Sequence, residues 1–266
     1  MKPDSAIKPD SAQPQPASID SRAALLRSFA VEFLTCQQWE VLPRVMASDY
    51  RLNVGNYVIS GRDTEYRLAM LPQFEQFPGL IVTVHDVVLT PDAIAMRFTE
   101  HGASRRDAFR RAAWQGVALF RIANGQLQVG WAEEDYIGRK RQLSDGVCDP
   151  IEAPHPSPWD TQTAPTDPAV ENTAREWLLD RRDPSTVVEV SECRIDELFG
   201  TADRVAFHMT QQGTYAGGLP GVAPNLAGTA VALRSAGLLT MHAGRVSGAR
   251  IVSDHLGLQR SLRTRS

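Results

Sequence analysis

The chain has 266 residues, 42% of them hydrophobic, enough apolar material for one large packed domain or two small ones. Its formal net charge of −3 argues against a broad electrostatic footprint for nucleic acid or an anionic membrane. No apolar run approaches the ~20 residues of a membrane-spanning helix. The 3 cysteines, Cys36, Cys148 and Cys193, stand at unpatterned spacing that reads as reduced thiols of a cytoplasmic protein.

In chain order, residues 1–17 repeat Lys2-Pro3-Asp4-Ser5-Ala6 as Lys8-Pro9-Asp10-Ser11-Ala12 and lack an apolar core. They read as a disordered tail and not as a secretory leader. A first domain spans residues 18–146. It opens with a helical stripe, Leu25, Leu26, Phe29, Phe33 and Leu34, behind the candidate caps Asp20 and Ser21. A short helix around Trp39 to Met46 is limited by Pro43. Alternation then predicts paired strands over Val82–Leu89 and Ile94–Phe98, joined at Thr90-Pro91-Asp92, and a long strand through Val117–Ile122. Residues 147–167 hold Pro150, Pro154, Pro156, Pro158 and Pro165 without periodicity, the composition of a flexible linker. The second domain, 168–266, begins with the stripe Val170, Ala174, Trp177 and Leu178, stopped by Asp180-Arg-Arg-Asp-Pro184. Strand patterns follow around Val188–Ile195, Val205–Phe207 and Val231–Met241. The basic clusters Arg105-Arg106 with Arg110-Arg111, and Arg260 to Arg265, read as solvated surface, the first also offering a seat for an anionic substrate group.

The two domains repeat each other. Ala95-Met-Arg97-Phe-Thr-Glu-His101-Gly102 lies over Ala206-Phe-His208-Met-Thr-Gln-Gln212-Gly213. Gly125 and Asp135 stand at the same separation as Gly244 and Asp254, and Asp135-Tyr-Ile-Gly138 matches Asp254-His-Leu-Gly257. The second copy carries an insertion around Gly217–Gly221 and lacks counterparts of about Trp39 to Pro78. Matched turns in this order indicate a tandem duplication.

On these residues, with Phe77-Pro78-Gly79-Leu80, the closing run Phe120 to Leu143 and the loop Gly218 to Pro224, the chain resembles two consecutive SnoaL-like domains of the nuclear-transport-factor-2-like (cystatin-like) group. The resemblance implies an α+β fold of tandem cones. Each cone is a bent antiparallel sheet closed by N-terminal helices, with a pocket in its mouth, and the second is shortened. It also implies that Asp135 occupies the position of the acid/base aspartate of SnoaL-like polyketide cyclases. A carboxyl group in an apolar pocket can remove a proton beside a carbonyl and return it to the new alkoxide without metal or cofactor.

Other residue types fit that chemistry. His101 is placed to polarise a carbonyl, and Arg97 needs an anionic partner such as Asp135 or Glu133 if it points inward. Trp131 and Glu133 share the strand face of Asp135, Trp131 supplying an apolar wall. Asn53 and Tyr57 stand where the family lines its pocket, and Arg121 is the polar residue of the facing strand. Asp254 and His208 are the second-domain equivalents. Asp135 and Asp254 can equally be helix caps, because aspartate is among the best N-cap residues.

The expected activity is proton transfer on a small, mostly apolar carbonyl compound, as in aldol cyclisation, isomerisation or dehydration, with no metal and no cofactor. The alternative is a non-catalytic ligand-binding or scaffold protein whose second domain replaces a homodimer partner. The duplication further predicts that the two sheets pack face to face as an intramolecular pseudo-dimer, unless the chain itself forms a homo-oligomer.

Overall fold

The computed structural model describes residues 19–180 and 187–264; the tail expected over 1–17 and the helix stop at Pro184 lie outside them. Helix α1 (Ser21–Arg27) starts where the Asp20 carboxylate accepts from the amides of Arg22 and Ala23 at 2.7 and 3.4 Å, satisfying donors that a helix start leaves orphaned. It continues with wider turns through Ser28–Thr35, and the stripe Leu25, Leu26, Phe29, Phe33 and Leu34 is buried along its length. The short α2 (Leu42–Val45), with Pro43 in its first turn, leads into β1 (Met46–Val54). After β2 (Tyr57–Ser60) and α3 (Arg67–Gln76) come β3 (Ile81–Leu89), β4 (Ala93–Ser104), β5 (Arg110–Ala123), β6 (Gln126–Glu134) and α4 (Tyr136–Asp145). The six strands form one sheet in the order β2-β1-β6-β5-β4-β3. The sheet is mixed, because β1 runs parallel to β6 while its other pairings are antiparallel. First and last strands of the unit meet inside the sheet, joined through all intervening elements and not by a hairpin.

The second half comprises α5 (Pro168–Asp180), β7 (Val188–Gly200), β8 (Arg204–Tyr215), β9 (Ala230–His242), β10 (Arg245–Ser253) and α6 (His255–Arg263). Its strands form an antiparallel sheet ordered β10-β9-β8-β7. The succession β3-β4-β5-β6-α4 thus recurs as β7-β8-β9-β10-α6, while α2, β1, β2 and α3 have no counterpart among the described residues. In both copies the aspartate before the last helix accepts a hydrogen bond from a glycine amide three residues on: Asp135 from Gly138 at 2.9 Å and Asp254 from Gly257 at 2.7 Å. A Cβ at either glycine would collide with that carboxylate, so the repeated Asp-x-x-Gly is a capping constraint.

Strand parity assigns the first sheet to two cores. Even-numbered residues of β4 and β5, among them Ile94, Met96, Phe98, Trp114, Ala118 and Phe120, face the cone interior and pack on α1 and α3. Odd-numbered residues, Ala93, Ala95, Val117 and Leu119, face the other sheet and meet Phe199, Ala206, Ala236, Leu238 and Val252 in a shared core. The remaining face of the second sheet is filled by α5, whose Val170, Ala174 and Leu178 pack on Val205, Phe207, Met209 and Leu239. The proline-rich segment 147–167 is a strap along the edge of β3. Its His155 and Ala164 amides donate to Val84 and Leu89 carbonyls at 2.8 and 3.0 Å, and the Thr163 amide donates to Asp20 at 3.1 Å. Sparse main-chain pairing of this kind accommodates the prolines and covers an otherwise open sheet edge.

A charged cluster crosses the apolar sheet-to-sheet interface. His208 Nε2 meets Glu133 at 3.0 Å and Nδ1 meets Asp196 at 2.9 Å; Glu133 also accepts from the Gly55 amide at 3.1 Å, and Asp196 from the Thr210 hydroxyl at 2.7 Å. Burial alone would depress the His208 pKa, but its hydrogen bonds to Asp196 and Glu133 and their charges outweigh it and hold the imidazole above its ordinary value. A histidine raised in this way contributes stability that is complete below the unfolded value of about 6.5 and fades as pH rises through the folded value. We therefore expect the unfolding free energy of the wild type, measured in urea, to fall relative to that of His208→Gln as pH rises above about 6.5. Parallel pH profiles would contradict this assignment of charge.

Candidate active site

The cone of the first half encloses a cavity of about 120 Å³. Its walls are mostly apolar, with Phe29 and Leu34 from the first helix, Met70 from α3, and Met96, Phe98, Ala118 and Phe120 from the sheet. Two carboxylates interrupt this surface. Glu100, near the end of β4, and Glu134, the last residue of β6, both line the cone cavity, close enough for the charge of Glu134 to act on Glu100. The Gln73 amide donates to Glu100 at 2.7 Å, and the Trp114 indole N–H donates to Glu134 at 2.8 Å.

Two neighbouring carboxylates, of which Glu100 is buried and Glu134 half-buried, cannot both ionise cheaply. Burial, then the charge of Glu134, pushes the Glu100 carboxyl well above the usual carboxylate range. Burial raises Glu134 as well, but the Trp114 hydrogen bond, the Arg139 guanidinium and the Tyr136 hydroxyl act in the opposite direction. Both carboxyls are raised, Glu100 the further, so Glu100 is the member of the pair that favours its proton. Arg139 sits over the rings of Tyr136 and Trp114, with its guanidinium carbon 4.4 and 4.9 Å from their centroids, keeping a cation near the pair without neutralising it by direct contact.

Tyr50 adds a free donor. Its ring is buried, packs edge-on against Tyr66 at 5.4 Å, and lines the same cavity, yet its hydroxyl has no protein hydrogen-bond partner. Burial drives the Tyr50 pKa upward, so the group is a neutral O–H. Gly130 makes room for it, because a Cβ at that position would run into the Tyr50 hydroxyl and crowd Phe120 and Leu52. Leaving a buried hydroxyl unpaired costs about 1–3 kcal/mol, so an acceptor atom brought to it would relieve that cost.

The residues selected from the sequence occupy other places. Asp135 is the cap of α4 and borders a groove of about 650 Å³ between α4 and α6, outside the cone. The two-residue strand period is the reason: Glu133 and Asp135 point away from the interior, and Glu134 between them points in. Trp131 packs in the sheet-to-sheet core, and Glu133 binds His208 there. Arg97 faces the same side and holds Glu152 of the strap at 2.7 and 2.9 Å, not Asp135 or Glu133. His101 contacts the Thr83 hydroxyl at 3.0 Å, also outside the cone, and burial lowers its pKa. Arg121 forks onto Glu197 at 3.1 and 2.7 Å across the interface. Asn53 donates to the Gly130 carbonyl at 3.1 Å, while Tyr57 is exposed and borders a small pocket with Asp254. His208 belongs to the interface cluster and Asp254 caps α6. The sequence signal for the carboxylate pair was available: Glu100 continues the apolar face of Met96 and Phe98, and Glu134 shares the face of Ala132.

Residues 24–143 match the family profile of SnoaL-like polyketide cyclases. Solved structures similar to this chain include the putative SnoaL-like polyketide cyclase from Jannaschia sp. CCS1, 19% identical with a TM-score of 0.44, over 50% of this chain and 98% of that one. IdmH from Streptomyces antibioticus is 18% identical with a TM-score of 0.42, over 46% and 98% of the two chains. TsrD from Streptomyces laurentii is 23% identical with a TM-score of 0.42, over 46% and 94%. No curated protein matches the sequence.

The capping geometry makes a direct prediction for Asp135. Asp135→Ala should lower stability by about 1 kcal/mol, whereas Asp135→Asn should unfold within a few tenths of a kcal/mol of wild type, since asparagine caps as well. Chemical denaturation of the two variants checks this; equal losses would show that the carboxylate charge is needed.

Proposed function

We propose that the first half is a cofactor-independent acid/base enzyme that moves a proton beside the carbonyl of a small, mostly apolar compound, as in polyketide-cyclase-like aldol closure or a related isomerisation or dehydration. The observation that carries this reading is that two carboxyls, Glu100 and Glu134, line one mostly apolar cavity, with Glu100 pushed well above the usual carboxylate range by burial and by the charge of Glu134. A pure binding protein has little use for a carboxylate held ready as a base and a neighbouring carboxyl held ready as an acid.

In this reading Glu134 removes the proton α to the substrate carbonyl, while the Tyr50 O–H donates to the carbonyl oxygen and stabilises the enolate formed. The enolate carbon attacks a second carbonyl of the same molecule, forming the ring bond. The proton on the carboxyl pair then goes to the resulting alkoxide, restoring the starting charge. An apolar cavity of ~150 Å³ takes one benzene ring, so about 120 Å³ here holds the reacting end of the substrate and not a fused polycycle.

The half-reaction can be read without the natural substrate. With acetophenone in D₂O, the protein should accelerate deuterium exchange of the acetyl methyl group, followed by proton NMR. Glu134→Gln should cut that acceleration by about 100-fold or more. Tyr50→Phe should cut it by about 10- to 100-fold without loss of stability, since the removed hydroxyl has no partner to strand. Exchange that is indifferent to Glu134→Gln would reject the reading.

A further inference from the structure

We infer that the substrate carries an anionic group, a carboxylate or a phosphate, which is held in a cationic groove that both halves of the chain build beside the cone. This rests on the proton-transfer reading of the cone cavity and adds a substrate class to it.

The groove has a volume of about 470 Å³ and is bordered by Arg110, Arg139, Lys140 and Arg260 against one carboxylate, Asp107. In a chain of net charge −3, four cations against one anion around a single depression is a marked local reversal. Tyr136 connects this groove to the chemistry. Its side chain lines the groove on one side and the Glu100–Glu134 cavity on the other. It also borders a third pocket of about 180 Å³, where Val54 of the first half meets Leu256 and Arg260 of the second. A ligand whose carbonyl end lies in the cone therefore has Arg260 of α6 near its other end.

The four cations are not equally committed. Arg110 donates to the carbonyls of Leu143 and Ser144 at 2.9 and 2.8 Å, which holds the end of α4 in place. Arg139 is stacked on Tyr136 and Trp114. Lys140 and Arg260 form no salt bridge among the described residues, so their charges are available to an incoming anion. Guanidinium suits the planar fork of a carboxylate or phosphate, and ammonium adds a point charge. Both are exposed at the rim, so their contribution should be modest and sensitive to salt.

The experiment compares 4-acetylbenzoate and 4-acetylphenyl phosphate with methyl 4-acetylbenzoate, binding being followed by tryptophan fluorescence at low ionic strength. An anionic probe should bind at least about fivefold more tightly than the ester, with the advantage shrinking in about 0.5 M salt. The double variant Arg260→Gln, Lys140→Gln should remove the advantage and leave the ester's affinity unchanged. Preference for only one of the two anions identifies which source the groove serves. Equal binding of acids and ester, a preference untouched by the double variant, or binding of none of the probes would overturn the inference. Deuterium exchange of the acetyl group, run in the same samples, reports separately on the cone. Acid-selective binding without exchange would leave the groove standing and reject the proton-transfer reading, whereas exchange with no acid preference would do the reverse.

Discussion

Because the middle of the sheet formed by β4, β5 and β6 is covered on both sides, each buried residue there is committed by its parity to one of two interiors. Even positions of β4 and β5 build the cone, and odd positions build the contact with the second sheet. A sheet with one wet face would have left half of these positions free for polar residues. Here each buried polar residue must be paired or lie in a cavity. Arg97, Arg121 and Glu133 are paired across the sheet interface or onto the strap. Glu100 and Glu134 lie together in the cone cavity. The same alternation that stabilises the sheet thus separates the charges that hold the halves together from those that can meet a substrate.

The two halves differ along that division. The positions of Glu100 and Glu134 are taken in the second copy by Gln211 and Ser253. Ser253 is bonded to Ser235 at 2.7 Å, and Gln211 is fully buried. Neither can act as a carboxylate base at neutral pH. The second copy also lacks β1, which in the first supplies Tyr50, and α3, which supplies Gln73. Its concave face is occupied by α5 instead. What the second half retains is the sheet face that buries the first half's odd-numbered residues, together with α6, which brings Arg260 to the neighbouring groove.

Much of this arrangement was legible in the sequence. The helical stripe from Leu25 to Leu34, the strands around Thr90-Pro91-Asp92 and the matched glycine turns all follow from local patterning. The aspartates before the last helices were visible too, with capping among their readings. The proline-rich segment was harder, because composition indicates poor regular structure but not where a chain is held; its anchors are isolated bonds to Val84, Leu89 and Asp20. The site was missed for a different reason. Alternation identifies residues that share a face, but it does not say which of two buried faces is the cone. Trp131 and Glu133 share a face, and that face turns to the second sheet, whereas Asp135 caps α4. Tyr50 was invisible to such reasoning, since its importance depends on the space above Gly130, far away in sequence.

The chemical account depends on one buried proton. A carboxylate pair that shares a proton contains a neutral carboxylic acid at neutral pH, and infrared difference spectroscopy detects its carbonyl stretch apart from ionised carboxylates. We predict that this band is present at pH 7, shifts in D₂O, and disappears in Glu100→Gln. A spectrum with no such band at pH 7, or a band that persists unchanged in Glu100→Gln, would contradict the assignment of the proton to Glu100 and with it the proposed base at Glu134.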